Sequence, residues 1–182
     1  MESPDISQFL STISRYITAK DNNKPHLLPH VFDHSATLAM AVNTDGISFP
    51  SNVSGVSAIS DVLVTQFNQH YENIYTFCLS DSIEREGSSL SCKWLVAMTE
   101  KDGGQLKIGY GKYGWDFDPN NGTLVDKLTI TIEHMVVIAF QCTSHLFNEL
   151  SEIPYPWCVS NIVRMKVPSS PLFDDVRAFL ET

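Results

Sequence analysis

Basic clusters and long apolar runs are scarce in this sequence of 182 residues. Twelve Lys and Arg residues stand against 21 Asp and Glu residues, which gives a formal net charge of −9 with neutral histidines. Tight binding to nucleic acids or to anionic membranes depends on grouped basic side chains. The composition therefore argues against a nucleic-acid partner and against a membrane partner held by charge.

The longest uninterrupted apolar run, Met135–Phe140, has six residues, whereas a membrane-spanning helix needs about 20. The opening residues MESPD lack the basic and apolar segments of a secretory leader. We therefore expect a cytoplasmic, reducing environment. No CxxC pair occurs, and the cysteines are predicted to be small buried residues rather than disulfide or zinc ligands. They are Cys78, Cys92, Cys142 and Cys158.

The apolar fraction of 43% and the charged fraction of 18% predict an ordered domain with a substantial core. Apolar spacings of three and four residues indicate helices, and β-branched or aromatic runs between glycine-rich turns indicate strands. The predicted helices cover residues 6–17, 27–32, 56–71, 143–150 and 173–180. The predicted strands cover residues 37–42, 74–79, 88–99, 105–117 and 125–139, with a turn at 33–35.

This order predicts an α+β fold, in which N-terminal helices pack on a curved antiparallel sheet. The last four strands form a meander, and the glycines at 109, 111 and 114 suggest bulges that curl it. We place one domain over residues 1–142. Residues 143–182 form a C-terminal extension that packs on the same domain.

Charged residues indicate which face of each strand is buried, because successive side chains alternate. Lys93, Lys112 and Lys127 must reach water, and this places the intervening aromatic and aliphatic side chains on the inner face. Trp94, Tyr113, Trp115 and His134 are the inner residues with polar atoms. They either form part of a solid core or line a cavity in which a ligand or water supplies their hydrogen-bond partners.

Four short segments resemble the nuclear transport factor 2-like (NTF2-like) superfamily in their order and spacing. They are residues 28–38 (LPHVFDHSATL), 55–59 (GVSAI), 111–115 (GKYGW) and 128–133 (LTITIE). The superfamily includes ketosteroid isomerases, scytalone dehydratases and SnoaL-like polyketide cyclases. The resemblance implies a cystatin-like, cone-shaped half-barrel with a pocket for a small apolar or aromatic molecule. It covers roughly residues 5–142.

Two histidines are candidate acid–base catalysts. His34 follows Asp33, which could orient the imidazole as a general base, although a surface turn residue is the alternative. His134 lies on the predicted inner face as either an acid–base group or a satisfied core residue. Tyr71 and Tyr113 could donate to an enolate oxygen. No histidine is joined by carboxylates at ligand spacing, so neither a metal nor a cofactor is predicted.

Two functions remain open from the sequence. The first is a cofactor-independent cyclase, isomerase or dehydratase that uses acid–base chemistry. The second is a non-catalytic ligand-binding or assembly module, which is favoured by the absence of a histidine in YTFCL at residues 75–79, where SnoaL-like enzymes commonly have one. A homodimer is predicted through the outer sheet face, where Tyr110 and Met135 are expected to lie.

Overall fold

The computed structural model describes residues 4–139 and 141–182. Residues 1–3 and Phe140 of the apolar run lie outside the described part. The helices are α1 (Ile6–Asp21), α2 (Val56–Ser60), α3 (Phe67–His70), α4 (Thr143–Ser151), α5 (Ser160–Lys166) and α6 (Asp174–Glu181). The strands are β1 (Phe32–Val42), β2 (Asn52–Ser54), β3 (Tyr71–Leu79), β4 (Glu84–Glu86), β5 (Ser89–Glu100), β6 (Leu106–Phe117), β7 (Val125–Ile138) and β8 (Trp157–Cys158).

Helix α1 forms because its apolar residues recur at helical spacing and its first turn is capped. The backbone N–H of Asp5 donates to the side-chain oxygen of Gln8 at 3.0 Å, which supports the start of the helix. Phe9, Ile13 and Ile17 are buried on the face that meets the sheet. The predicted apolar stripe is thus confirmed, and it continues for one further turn to the end of the helix.

The helix predicted at residues 56–71 is present but is not uniformly α-helical. Helix α2 leads into a π-helical turn, Asp61–Gln66, and then into α3. Ile59, Leu63, Val64 and Phe67 are buried along this continuous segment. A π turn shifts the buried face relative to a regular α-helix, and it leaves Leu63 and Phe67 facing the interior of the sheet.

The sheet is curved and mixed, with the strand order β2-β1-β7-β6-β5-β3-β8 and with β4 paired to β5. The predicted antiparallel meander of β3, β5, β6 and β7 is confirmed. Strand β1 pairs with β7 in parallel, and β8 pairs with β3 in parallel. Strand β1 begins at Phe32, so the predicted turn at residues 33–35 is instead the irregular start of this strand.

Each face of the sheet carries its own apolar cluster. The inner face packs against α1 and the α2–α3 segment, and this arrangement confirms the predicted α+β fold. The outer face packs against the C-terminal extension, with Phe173, Val176 and Phe179 covering Leu95 and Ile108. A sheet buried on both faces needs apolar residues at nearly every strand position, which explains the continuous burial of β5 from Trp94 to Thr99.

The extension covers a surface on which we predicted a homodimer. Tyr110 does lie on the outer face, where its ring stacks on Phe179 at 4.2 Å between centroids. Met135 instead lies on the inner face and lines the interior. The homodimer stays a prediction.

Three of the four cysteines are buried as predicted, whereas Cys142 is exposed because it precedes α4 at the surface.

One bulge between β6 and β7 reverses the side-chain alternation of β7. Tyr110 pairs with His134 and Gly111 pairs with Ile132, so Glu133 is an additional residue in β7. The two strands approach closely at this point. A Cβ atom placed on Gly111 would lie 1.9 Å from the carbonyl oxygen of Thr131, a distance that no relaxed structure accommodates.

We predict that Gly111→Ala lowers the free energy of unfolding by about 1–3 kcal/mol, because the new methyl group must push β7 away. Gly114→Ala in the same strand is the matched control, since the nearest atom to its Cβ would be Thr129 Cβ at 3.7 Å. Urea denaturation of both variants tests this. Equal stabilities for the two would contradict the close approach.

Candidate functional site

A small cavity lies between α1, the α2–α3 segment and the inner face of the sheet. Its volume is about 40 Å³, which is enough for roughly one to three water molecules. Its wall is almost entirely apolar and aromatic. The lining residues include Tyr16, Lys20, Ile47, Phe49, Leu63, Phe67, Thr76, Trp94, Tyr113, Ile130 and Met135.

Lys20 is the charged residue among the lining residues, and it is only 6% exposed. Lys20 Nζ donates to Asp21 Oδ1 at 2.6 Å and to Thr76 Oγ1 at 2.7 Å. It also lies 4.8 Å from the ring centroid of Phe67, within the range of a cation–π contact. Among the described residues Nζ makes these two hydrogen bonds, so one of its three N–H groups has no described acceptor.

The carboxylate of Asp21, whose side chain is 2% exposed, has no such spare capacity. Oδ1 accepts from Lys20 Nζ and from Thr76 Oγ1 at 2.9 Å. Oδ2 accepts from the backbone N–H of Thr76 at 2.8 Å and from the hydroxyl of Tyr155 at 2.6 Å. Two acceptances per oxygen fill the usual capacity of a carboxylate. We call Lys20, Asp21, Thr76 and Tyr155 the buried polar cluster.

The buried polar cluster was missed in the sequence analysis, although a signal for it is present. Lys20 lies seven residues after Ile13, and Asp21 lies four residues after Ile17, so both continue the buried stripe of α1. A charged pair on an apolar helix face points to a paired, buried site. Asn68 fixes this end of α1 by donating to the backbone oxygens of Lys20 at 2.7 Å and Val64 at 2.8 Å.

Three polar groups on aromatic side chains of the inner core are fully buried and lack a hydrogen-bond partner within the described structure. They are the hydroxyl of Tyr16 and the Nε1 atoms of Trp94 and Trp115. Burial raises the pKa of Tyr16 and of Tyr113 well above the usual value, so both stay neutral at physiological pH. Unpaired buried donors are rare, and the two that belong to cavity-lining residues, Tyr16 and Trp94, favour a water molecule or a ligand in this cavity.

A surface cleft of about 310 Å³ lies on the other side of the cavity wall. Ile47, Phe49 and Phe67 border both spaces, and we call these three residues the partition. The rings of Phe49 and Phe67 stack with centroids 6.5 Å apart. Phe49 is only partly buried, because it belongs to the irregular loop between β1 and β2.

This loop is anchored beside the partition by a buried lysine. Lys107 Nζ donates to the backbone oxygen of Gly46 at 2.9 Å and forms an ion pair with Glu100 at 2.8 Å. Burial acts to lower the pKa of Lys107, but the pairing with Glu100 and the nearby Tyr71 raise it overall. Lys107 therefore stays charged and holds one end of the loop.

Of the four predicted ligand-binding residues, the structure brings two to the cavity. Trp94 and Tyr113 line it, with stacked rings 5.5 Å apart between centroids. Trp115 is fully buried but is packed against Tyr16 and Phe32 within the core. Tyr71 borders the surface cleft, where its ring contacts Phe67 at 5.0 Å.

Asp33 and His34 lie near the start of β1 and are not among the residues that line the cavity, and the catalytic roles assigned to them stay predictions. His34 is exposed and borders a shallow groove next to Gly55. Asp33 Oδ1 accepts both of its hydrogen bonds from Ser35, from the backbone N–H at 2.9 Å and from Oγ at 2.8 Å. These bonds lower the pKa of Asp33. The carboxylate thus stabilises the local backbone, away from the residues that line the cavity.

The predicted inward orientation of His134 is wrong, because the bulge at Glu133 reverses the alternation assumed for the end of β7. His134 lies on the outer face, with its ring 5.3 Å from that of Tyr110. Its Nε2 is 3.9 Å from Asp175 Oδ2. The sheet therefore separates His134 from the cavity, and the catalytic role assigned to it stays a prediction.

No group of three or more His, Cys, Asp or Glu side chains in residues 4–139 and 141–182 is arranged to hold a metal ion. Among the same residues, no helix has both the length and the apolar character required to cross a bilayer.

Comparison with solved structures identifies the fold. A type 2 hexachlorocyclohexane dehydrochlorinase has a TM-score of 0.59 at 13% identity, over 74% of this chain and 88% of that one. A ketosteroid isomerase-like protein from Catenulispora acidiphila, solved with trimethylamine, gives 0.52 at 12% identity over 70% and 85%. An NTF2-like superfamily protein from Salmonella enterica gives 0.50 at 19% identity over 74% and 92%.

The chain therefore has the NTF2-like fold, and the resemblance noted in the sequence is confirmed at that level. No model of a known protein family matches the sequence, and no curated protein matches it either. At the identities of the solved structures the likeness establishes the fold alone, since one fold supports many activities.

We predict that Tyr16→Phe changes the free energy of unfolding by no more than about 1 kcal/mol, because its buried hydroxyl makes no hydrogen bond to a described protein group. Tyr110→Phe, on the outer face, is the matched control. Urea denaturation measures both. A loss of stability in Tyr16→Phe that Tyr110→Phe does not show would mean that the hydroxyl has a tightly held partner in the cavity.

Proposed function

We propose that this domain binds a small, largely apolar molecule that carries an oxygen acceptor, such as a carbonyl group. The ligand occupies the cavity and extends through the partition into the surface cleft. The observation that carries the proposal is a buried lysine, Lys20, among the residues that line a largely apolar cavity. A charged donor in such surroundings supplies orientation and specificity for one polar atom of a ligand.

The buried polar cluster is better suited to donating a hydrogen bond to a ligand than to removing a proton from one. A general base needs a free lone pair directed at the substrate, whereas Asp21 already accepts four hydrogen bonds. Lys20 keeps one N–H group for a ligand oxygen. Because Asp21 balances the charge of Lys20, the site favours a neutral acceptor over an anion.

The size of the two spaces limits the ligand. An engineered protein cavity of about 150 Å³ accepts benzene, so a ring does not fit in the present 40 Å³. The cavity and the cleft of 310 Å³ together reach the lower end of ordinary ligand sites, about 300 Å³. A ring-sized ligand must therefore displace part of the partition, and Phe49 is its partly exposed aromatic member.

Non-catalytic binding is supported over the acid–base enzyme for a further reason. The residues assigned to catalysis, His34, Asp33 and His134, do not line the cavity. The solved structures of this fold include an enzyme named as a dehydrochlorinase, but a fold likeness does not transfer activity. Non-catalytic binding therefore fits the arrangement better, because it assigns no catalytic role to residues that lie away from the cavity.

We predict that the wild-type protein prefers cyclohexanone over methylenecyclohexane, a matched pair in which C=CH2 replaces C=O. A hydrogen bond from a charged donor is worth about 1.5–3 kcal/mol, so the preference should be about tenfold or more. The double substitution Lys20→Met/Asp21→Asn should abolish the preference while retaining affinity for the hydrocarbon. Titrations followed by NMR provide both dissociation constants.

The double substitution is chosen because removing one charge alone would leave the other uncompensated in the core, at a cost of about 3–5 kcal/mol. Lys24→Met is the matched control, since Lys24 is exposed just beyond α1. In wild type, the ketone should also shift the NMR signals of Thr76. Equal affinity of wild type for the two probes would refute the role of Lys20.

We predict that Phe49→Ala raises the affinity for cyclohexanone several-fold, because it joins the cavity to the cleft before the ligand arrives. Phe49 is partly exposed, so the loss of stability should be smaller than the roughly 3–5 kcal/mol of a buried Phe→Ala change. Leu172→Ala, an exposed apolar residue elsewhere, is the control. An unchanged affinity in Phe49→Ala would place the entrance elsewhere.

A further inference from the structure

The C-terminal extension sends one side chain into the buried polar cluster. Tyr155 lies 134 residues after Asp21 in the sequence, and its hydroxyl donates to Asp21 Oδ2 at 2.6 Å. The residue is 38% exposed, so part of its side chain lies at the protein surface, whereas its hydroxyl contacts the buried carboxylate of Asp21. The cavity side of the sheet and the outer layer are thus in direct contact at one carboxylate oxygen.

The segment around Tyr155 is fixed to the same two elements that carry the rest of the cluster. Strand β8 pairs with β3, and the backbone N–H of Cys78 donates to the carbonyl oxygen of Pro156 at 2.7 Å. Trp157 Nε1 donates to Ser14 Oγ of α1 at 3.0 Å. These contacts determine the position of Tyr155 relative to both Asp21 and Thr76.

The ring of Tyr155 is also fixed in orientation. It packs edge-on against Tyr75 and Phe77 of β3, with centroids 6.1 and 6.2 Å away. Burial of the hydroxyl raises the pKa of Tyr155 above its usual value, and the negative charge of Asp21 raises it further. The hydroxyl therefore remains a proton donor at physiological pH.

We propose that Tyr155 is a positioning residue for the ligand site: it holds the carboxylate of Asp21, which in turn aims the ammonium group of Lys20 at the cavity. The proposal rests on the proposed function, because it assigns this extension the control of ligand affinity. Without the Tyr155 hydroxyl, Oδ2 keeps only the backbone N–H of Thr76. The carboxylate then rotates more freely, and the third N–H group of Lys20 loses its fixed direction.

The test compares Tyr155→Phe with Tyr75→Phe, which removes a neighbouring hydroxyl from the same outer face. We expect Tyr155→Phe to reduce the preference for cyclohexanone over methylenecyclohexane about tenfold, the loss of one charge-assisted hydrogen bond. Its affinity for methylenecyclohexane should stay within about twofold of wild type. Tyr75→Phe should retain the wild-type preference.

A second measurement does not depend on any ligand. Nitrogen-15 NMR of the lysine ammonium groups should show a slowly exchanging Lys20 signal, assigned by its loss in Lys20→Met/Asp21→Asn. We expect the signal to persist in Tyr75→Phe and to broaden in Tyr155→Phe, because the cluster loses its fixed geometry. Both variants keep their aromatic rings, and all spectra are recorded below the onset of unfolding.

The outcomes separate the two proposals. If wild type shows no preference between the probes, the proposed function fails, and the Lys20 signal alone decides the role of Tyr155. If Tyr155→Phe is less stable but keeps both the wild-type preference and a sharp Lys20 signal, its hydroxyl serves stability only and the inference is overturned. If Tyr155→Phe loses both the preference for cyclohexanone and the sharp Lys20 signal, while Tyr75→Phe keeps both, the positioning role of Tyr155 is supported.

Discussion

Burial of one lysine beside one aspartate at the end of α1 constrains the rest of this structure. An ion of either sign is costly in an apolar interior unless it is paired and its remaining donors or acceptors are satisfied. Lys20 and Asp21 meet that requirement only because Thr76 of β3 contributes both its hydroxyl and its backbone N–H. The end of α1 is therefore fixed against one position of the sheet, and the cavity forms around that position.

The same requirement connects the two apolar layers. The inner layer contributes α1, the sheet contributes Thr76, and the outer layer contributes Tyr155. In a sheet with helices on both faces, the layers are ordinarily held together by apolar packing. Here a hydrogen-bonded chain crosses at the edge, where β8 joins β3. The C-terminal extension thus does more than cover apolar strands, since it also completes the coordination of a carboxylate beside the cavity.

The architecture follows from sequence periodicity to a large extent. The stripe of α1, the antiparallel meander and the inward orientation of Trp94 and Tyr113 could be predicted, because each rests on a regular alternation. The orientation of His134 could not, since one inserted residue at Glu133 reverses the pattern without a clear signal in composition. The contact between Asp21 and Tyr155 was equally inaccessible, because residues 134 positions apart show no local pattern. The charged pair on the apolar stripe of α1 was visible in principle and was not used.

The retention of a charged pair in the core is itself an argument about function. Replacing a buried ion pair by well-packed apolar residues is often neutral or stabilising, so stability alone gives little reason for Lys20 and Asp21 to be there. Their position beside a cavity, near unpartnered groups on Tyr16 and Trp94, points to ligand binding as the reason for the buried pair. The cost of burial is offset if the ammonium group selects an oxygen-bearing ligand, because an apolar wall cannot distinguish such a ligand from a hydrocarbon of equal shape. Since Asp21 is saturated while Lys20 is not, the proposed ligand site offers a hydrogen-bond donor, and this arrangement favours the binding proposal over proton abstraction.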